Sequence, residues 1–274
     1  MHSEQKAVVI EKINHELQIK YQEQMIDIIF EGTVTDERTG RSKVVPFTAK
    51  EIDAFYAIIG IMNDEGTDFI QVPNSFIRKY TNDRSNVSIA EYDEQLAQSQ
   101  QKIASVTFRR NDDEAFISIP FFKLFVVDKV KQETMAQAND AARTLILNVL
   151  KNYTSFEMSE LASLRRVYSK ILYIKLKAAK ELGEYEVDRD SFVKFMNASN
   201  MSASDIKKTI INRSIEELGD GPKGKKIFKN LDVELIQDPN DRRRWHKIKF
   251  TFDKQLKEAE RINDSTQLQL DFDI

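Results

Sequence analysis

Two stretches of this chain concentrate side chains able to meet a polyanion. The segment SDIKKTIINRSIEELG, Ser204 to Gly219, carries Lys207, Lys208, Thr209, Asn212 and Arg213. These lie away from an apolar set made of Ile206, Ile210, Ile211, Ile215 and Leu218. Arginine and lysine suit the acceptor edge of guanine in a major groove, and asparagine suits adenine. The alternative for such a face is plain solvation. The second stretch, DRRRWHKIKF, sets Arg242, Arg243 and Arg244 beside the single tryptophan, Trp245, with Lys247 and Lys249 following on alternate positions. Arginines at a hairpin tip gain affinity for phosphate by counterion release and are drawn into narrow minor grooves. Asp238 and Asp241 weaken that field, and an ordinary solvated turn is the competing reading. Trp245 is left open, either anchoring the hairpin to a core or packing on a sugar.

Other chemistries lack their residues. Gly219 to Lys226 reads GDGPKGKK, a P-loop pattern except that Lys226 stands where a Ser or Thr should hold magnesium. A helix precedes it and a strand follows, the reverse of the P-loop order, so ATP binding is rejected. Lys225 and Lys226 are expected to reach DNA phosphate or to stay solvated. His2, His15 and His246 are far apart and make no metal-ligand spacing. There is no His-hydrophobic-His pair, no G-x-S-x-G elbow and no cysteine. The carboxylates do not single out a catalytic pair. The expectation is a protein that is not an enzyme and takes no cofactor.

The elements that must position these residues form two similar units. Thr48 and Glu51 make a capping box ahead of Ile52, Phe55, Tyr56, Ile59 and Met62 at helical spacing. The strand-like FIQVP, a brief helix NSFIRKYTN and a second capped helix from Ser88 follow. VTFRR, NDDE and AFISIPFF then read as strand, turn, strand. Residues 131–142, KQETMAQANDAA, read as a linker or the start of a connecting element. The order returns in the second half. A long helix capped by Ser163 runs through Leu182 and stops at Gly183, then come the strand YEVDRD, the helix DSFVKFMNA and the basic helix, capped by Ser204. The hairpin FKNLDVELIQ, DPND, RRRWHKIKFTF closes the unit. Ser3 to Gln24 is a candidate helix of imperfect spacing, and Met25 to Thr35 is β-rich.

The 274 residues and 41% hydrophobic content allow one large or two ordinary domains. The formal net charge is −3, but it is unevenly spread: residues 1–160 carry −7, residues 161–250 carry +7 and residues 251–274 carry −3. The basic block is the half expected to meet a polyanion. There is no cysteine, no apolar run approaches a membrane span, and MHSEQKAVVIEKINHE lacks the pattern of a signal peptide, so a cytoplasmic location is expected.

On these residues a resemblance becomes specific. SLRRVYSKILYIKLKAAKELGEYEVDRDSFVKFMN, SDIKKTIINRSIEELG, FKNLDVELIQDP and IKFTF together resemble the second DNA-binding domain of theta-type, iteron-binding plasmid replication initiators. Its helix pattern F-K-x-x-V-I-x-x-A-I-x-E-L is met by Ile206 to Leu218, with Ile206 in place of Phe and Ser214 in place of Ala. Both departures fall on or near the apolar side. The match covers about 90 residues well by this pattern comparison, and residues 45–131 fit the family's first winged helix more loosely. The resemblance implies an α+β fold of tandem winged helices, each a helix-strand-helix-helix-hairpin unit. It implies binding of directly repeated origin DNA (iterons), melting of a nearby AT-rich region, recruitment of host helicase, and monomer and homodimer forms.

The expected divisions are an extension over 1–44, a first winged helix over 45–135, a second over 136–254 and a tail over 255–274. Lys207, Lys208, Thr209, Asn212 and Arg213 should read bases, while Arg242, Arg243, Arg244, Lys225, Lys226 and Lys247 contact phosphate. In the first unit the helix 88–104 is the geometric counterpart, yet Glu91, Asp93, Glu94, Gln98 and Gln101 make its outer face acidic or neutral. Fewer contacts are expected there, through Arg78, Lys79, Arg84, Arg109 and Arg110, or that half mediates dimerisation. Gln267, Leu268, Leu270 and Phe272 resemble the bacterial sliding-clamp-binding peptide Q-L-x-L-x-[LF], the alternative being a terminal edge strand. The other function readings are a winged-helix transcriptional repressor without initiator activity and a clamp- or helicase-binding adaptor.

Overall fold

In a computed structural model that describes residues 7–10, 16–22, 28, 30–36, 38–81, 87–111, 116–147, 153–222, 224–239 and 245–255, helix α1 (Ala49–Glu65) starts at the expected capping box. Thr48 Oγ1 accepts the Glu51 N–H at 3.3 Å, and the Glu51 carboxylate accepts the Thr48 N–H at 2.6 Å. Two amides that a helix start leaves without partners are thereby satisfied. Every residue from Glu51 to Met62 is buried. α1 is therefore a central rod covered on all sides rather than a one-faced surface helix.

β5 (Phe69–Pro73), α2 (Asn74–Lys79) and α3 (Ile89–Ala104) follow in the expected order. The hairpin read at VTFRR and AFISIPFF exists as β6 (Thr107–Asn111) and β7 (Phe116–Pro120), but it stands apart as a two-stranded ribbon. The hairpin that joins the sheet of the first unit is β8 (Phe122–Asp128) with β9 (Glu133–Ala138), in the order β1-β5-β9-β8, where β1 is Val8–Val9. The expected linker over 131–142 is thus corrected. β9 lies inside it and crosses the boundary drawn after residue 135. Thr134, Ala136 and Ala138 point inward and are fully buried. Small inward side chains carry the period of two without the bulky residues that usually reveal it.

The N-terminal segment is also corrected. Where a helix over Ser3 to Gln24 was a candidate, β1 pairs with β5, and β2 (Gln18–Gln22) pairs with β10 (Tyr153–Glu157). Leu17 and Ile19 are fully buried. β3 (Glu31–Thr35) and β4 (Ser42–Pro46) form a hairpin laid against α3. The Thr33 N–H donates to Ser105 Oγ at 2.7 Å and the Thr35 N–H to Gln101 Oε1 at 2.9 Å. Gly32 permits this approach, because a Cβ there would lie 2.3 Å from the Lys102 carbonyl oxygen.

α4 (Asp140–Leu147) and α5 (Met158–Ser163) lead to α6 (Val167–Ala178). The single helix expected from Ser163 to Leu182 is shorter. Ser163 ends α5, its Oγ donating to the Glu160 carbonyl at 2.8 Å. The backbone is extended at Leu164 and Arg166, and the fully buried Leu164 side chain interrupts the helix. Gly183 does turn the chain at φ 75°, where a Cβ would meet the Phe252 carbonyl oxygen at 2.9 Å.

β11 (Glu184–Asp188) and α7 (Arg189–Phe195) precede a continuous helical rod. The rod comprises α8 (Ala203–Asp205), a π-helical turn (Ile206–Ile211) and α9 (Asn212–Leu218). Ser202, not Ser204, caps it, its Oγ accepting the Asp205 N–H at 3.1 Å. β12 (Asp232–Gln237) and β13 (Trp245–Thr251) complete a sheet ordered β11-β13-β12.

Asp188 caps α7 by accepting the Ser191 N–H at 2.8 Å, and this bond holds its carboxyl below the ordinary aspartate range. Asp188→Ala should cost about 1 kcal/mol above pH 5, as N-cap losses do. A depressed carboxyl stabilises the fold above its unfolded value of 3.8 and loses that contribution as pH falls through the folded value. Unfolding curves of the variant and parent should therefore converge in acid.

One continuous core runs through both halves. At its centre the Lys170 ammonium of α6 contacts Asp53 of α1 at 2.6 Å, and both side chains are fully buried. Lys170 Nζ also donates to the Leu161 carbonyl at 2.6 Å. Burial pushes the ammonium below the ordinary lysine range, and Asp53 and then Glu217 oppose that shift.

Candidate nucleic-acid interface

The rod 203–218 presents the basic residues as anticipated and adds a feature that periodicity did not indicate. Ile206, Ile210 and Ile211 are buried, while Lys207, Lys208, Asn212 and Arg213 are exposed and Thr209 is half-exposed. The Asn212 N–H bonds to the Lys207 carbonyl, five residues back. In a regular α-helix residues five apart point about 140° away from each other. The wider π turn brings Lys207 over Asn212 and Lys208 over Arg213, gathering all four on one outward face. Among the described residues none of the Lys207, Lys208 and Arg213 side chains is in an ion pair, so their charge is available. Ile206 and Ser214, where the chain departs from the initiator pattern, are both fully buried.

The rod's C-terminal half is fastened to the start of α6. Glu217 is buried, accepts the Arg165 N–H at 2.7 Å and lies 3.5 Å from Arg166 Nη1. Arg166 Nη1 also donates to the Arg213 carbonyl at 3.3 Å. Arg166 is a surface cation beside the rod that the sequence reading passed over, since nothing in its spacing marks it.

At the hairpin, the strands are described and the tip is not: Arg242, Arg243 and Arg244 lie outside the described residues. β12 and β13 pair from Asp232 with Thr251 out to Gln237 with Trp245, with a register shift at Ile236 and Gln237. Trp245 is buried, and the Arg189 guanidinium sits 5.1 Å from its ring centroid. The open question about Trp245 is answered: it anchors the hairpin to the core. Arg189 was not singled out either, because its partner is 56 residues away in sequence and no local pattern announces it. Lys247 donates to Glu186 at 2.6 Å and Lys249 lies 2.8 Å from Glu184, across adjacent strands. The Lys247 bond holds the Glu186 carboxyl below its ordinary range, and Glu184 holds the Lys249 ammonium above its own. Lys247 thus faces the outside already neutralised. Lys225 and Lys226 are exposed in the loop after α9.

The first unit offers less. Glu91, Glu94, Gln98 and Gln101 are exposed on α3, but Asp93 is not on that face. It is buried, accepting Asn74 Nδ2 at 2.8 Å and Gln132 Nε2 at 3.0 Å, while Asn74 Oδ1 accepts Thr134 Oγ1 at 2.6 Å. The β3–β4 hairpin covers the C-terminal half of α3. Arg78 donates to the Val87 carbonyl at 2.7 Å and lies over Tyr92, and Lys79 lies over Tyr80. Arg84 and the side chains of Arg109 and Arg110 fall outside the described set, as do Gln267, Leu268, Leu270 and Phe272. Among the described residues no group of three or more His, Asp or Glu is placed to hold a metal, and no helix is long and apolar enough to cross a membrane.

Comparison with known proteins bears on the family and the fold. Residues 39–177, just over half of the chain, match the family model "Initiator Replication protein, WH1". That match falls largely on the first unit, whose resemblance read from the sequence was the looser one. A probable replication protein of Bifidobacterium longum is 23% identical over 176 residues, 63% of this chain and 59% of that protein. The chain thus spans well under two thirds of that relative's length. The crystal structure of the Pi initiator protein in complex with iteron DNA superposes at a TM-score of 0.60 with 9% identity, covering 89% of this chain and all of that one. Domains 2 and 3 of RctB superpose at 0.51 with 10% identity, covering 83% and 91%. At such identities these two structures establish the shared fold of winged helices.

Proposed function

The chain belongs to the Initiator Replication protein family, and we propose that it initiates plasmid replication by binding directly repeated origin DNA through its second winged helix. The observation that carries this reading is the outward face of the rod, where Lys207, Lys208, Asn212 and Arg213 share one side immediately before a hairpin. A recognition helix occupies that place in a winged helix, and these side chain types match major-groove edges. The arginines between β12 and β13 supply phosphate contacts at the wing, which raise affinity without choosing sequence. Lys225 adds positive charge beside the rod. The first unit, with an acidic or covered α3, contributes orientation and a surface for a second copy more than base reading. Origin opening, recruitment of host helicase, a clamp contact through Gln267 to Phe272, and monomer and dimer forms complete the proposal.

The test has two arms. Gel shifts on directly repeated sites of about 20 base pairs, the span of two major-groove helices one to two turns apart, should show preference over scrambled DNA. The gene should also sustain a plasmid carrying its own repeats. Binding without plasmid maintenance would turn the reading into a repressor, and no preference for repeats would remove it.

A further inference from the structure

A cavity of about 510 Å³ opens where the β2–β10 pair, with Gln18 and Ser155, meets the loop after α9. Lys177, Lys180, Lys226, Lys229 and Lys254 all line it. Three carboxylates, Glu157, Glu160 and Asp253, share its wall, but two of them are already engaged. Glu160 takes Lys177 at 2.7 Å and the Tyr173 hydroxyl at 2.8 Å, and Asp253 accepts Asn230 Nδ2 at 3.0 Å. Lys180 Nζ donates to the Ser155 carbonyl at 2.8 Å. Lys226, Lys229 and Lys254 are exposed and, among the described residues, in no ion pair.

The loop that brings two of these lysines to the cavity is held in an uncommon shape. Lys226 and Asn230 have φ of 56° and 52°, the left-handed region that side chains other than glycine seldom adopt. The site also lies away from the wing. Thr251 pairs with Asp232 and Glu184 at the cavity end of the sheet, and Trp245 pairs with Gln237 at the wing end. Six residues of strand at about 3.4 Å each separate the two ends by about 20 Å.

We propose that this cavity binds a polyphosphate group, the di- or triphosphate of a nucleotide or an inorganic chain. Ammonium groups act on phosphate as mobile point charges, and three of them here lack a counter-ion. The volume is that of a small-ligand pocket. Its wall is mostly polar and charged, and its aromatic residue, Phe156, is buried and offers little face for a base to stack upon, so the phosphates carry the recognition. Because the β2–β10 pair and the loop after α9 both supply walls, occupancy should fasten them together and raise the unfolding temperature. The proposal is independent of the duplex reading.

Calorimetric titration of sodium tripolyphosphate into the full chain at low salt should give one saturable site that weakens as salt rises. The variant combining Lys226→Gly, Lys229→Ala and Lys254→Ala should bind at least about tenfold more weakly, since each paired charge contributes to such contacts. Glycine keeps the positive φ at 226, and the other two positions are exposed, so the fold should be retained. Lys229→Ala alone should shift affinity in the same direction. Pyrophosphate and ATP, titrated separately, distinguish a free phosphate chain from a nucleotide. No saturable binding at millimolar anion, or equal binding by the triple variant, overturns the proposal. So does loss of duplex affinity in that variant without any tripolyphosphate binding, which would assign these lysines to the DNA backbone.

Discussion

Alanine at Lys207, Lys208 and Arg213 together erases the preference for directly repeated DNA over scrambled DNA, while the chain stays folded. Each well-placed bidentate pairing with a base is worth about 1–3 kcal/mol of discrimination, so removing several brings the specific complex down to the non-specific level. The fold should tolerate the change because all three side chains are exposed and none is in an ion pair among the described residues. Removing Arg242, Arg243 and Arg244 has a different signature. Both DNAs bind more weakly by a similar factor, and the slope of log affinity against log salt flattens by about 0.9 for each phosphate no longer neutralised. Competition binding across a salt series reads both effects. Discrimination retained in the first variant would remove the rod from the role of base reader.

The second large effect concerns stability. Asp53→Ala leaves the Lys170 ammonium fully buried beside α1 without the carboxylate that now lies 2.6 Å from it. Breaking a buried pair in this way costs about 3–5 kcal/mol. Replacing both partners with apolar residues of similar volume, Asp53→Leu with Lys170→Met, should instead come close to the parent, because the desolvation penalty disappears with the charges. Urea unfolding of Asp53→Ala reads the first loss, and that of Asp53→Leu, Lys170→Met and their double variant measures the coupling as a cycle. A loss under about 1 kcal/mol for Asp53→Ala, the level of an exposed pair, would mean that the charge finds water. Since Glu217 of α9 also faces Lys170, the double variant's affinity for direct repeats would show whether this core pair also steadies the rod.

Much of the second unit was legible because its signals are local. The apolar stripe of the basic rod, the glycine that turns the chain into β11 and the alternation in β13 each lie within a few residues of what they specify. The two capping boxes at Thr48 and Ser88 were equally plain. The first unit was harder. A conspicuous hairpin at VTFRR and AFISIPFF took the place of the true one, since β9 packs with Thr134, Ala136 and Ala138, side chains too small to signal a strand. Lys247 looked as free as the wing arginines, yet cross-strand pairing puts Glu186 against it.

The sequence by itself determined the order of elements in the second unit and the basic composition of one rod face. These follow from propensity, capping and periodicity, which act over one or two turns of chain. Tertiary structure alone decided three further matters. It chose which hairpin joins the first sheet and laid the β3–β4 hairpin over α3. It closed an ion pair between residues 117 apart in sequence. It also converted part of the rod to a π turn, so that Lys207 and Lys208 stand over Asn212 and Arg213. Each depends on burial against distant parts of the chain, where desolvation and close packing override local preference.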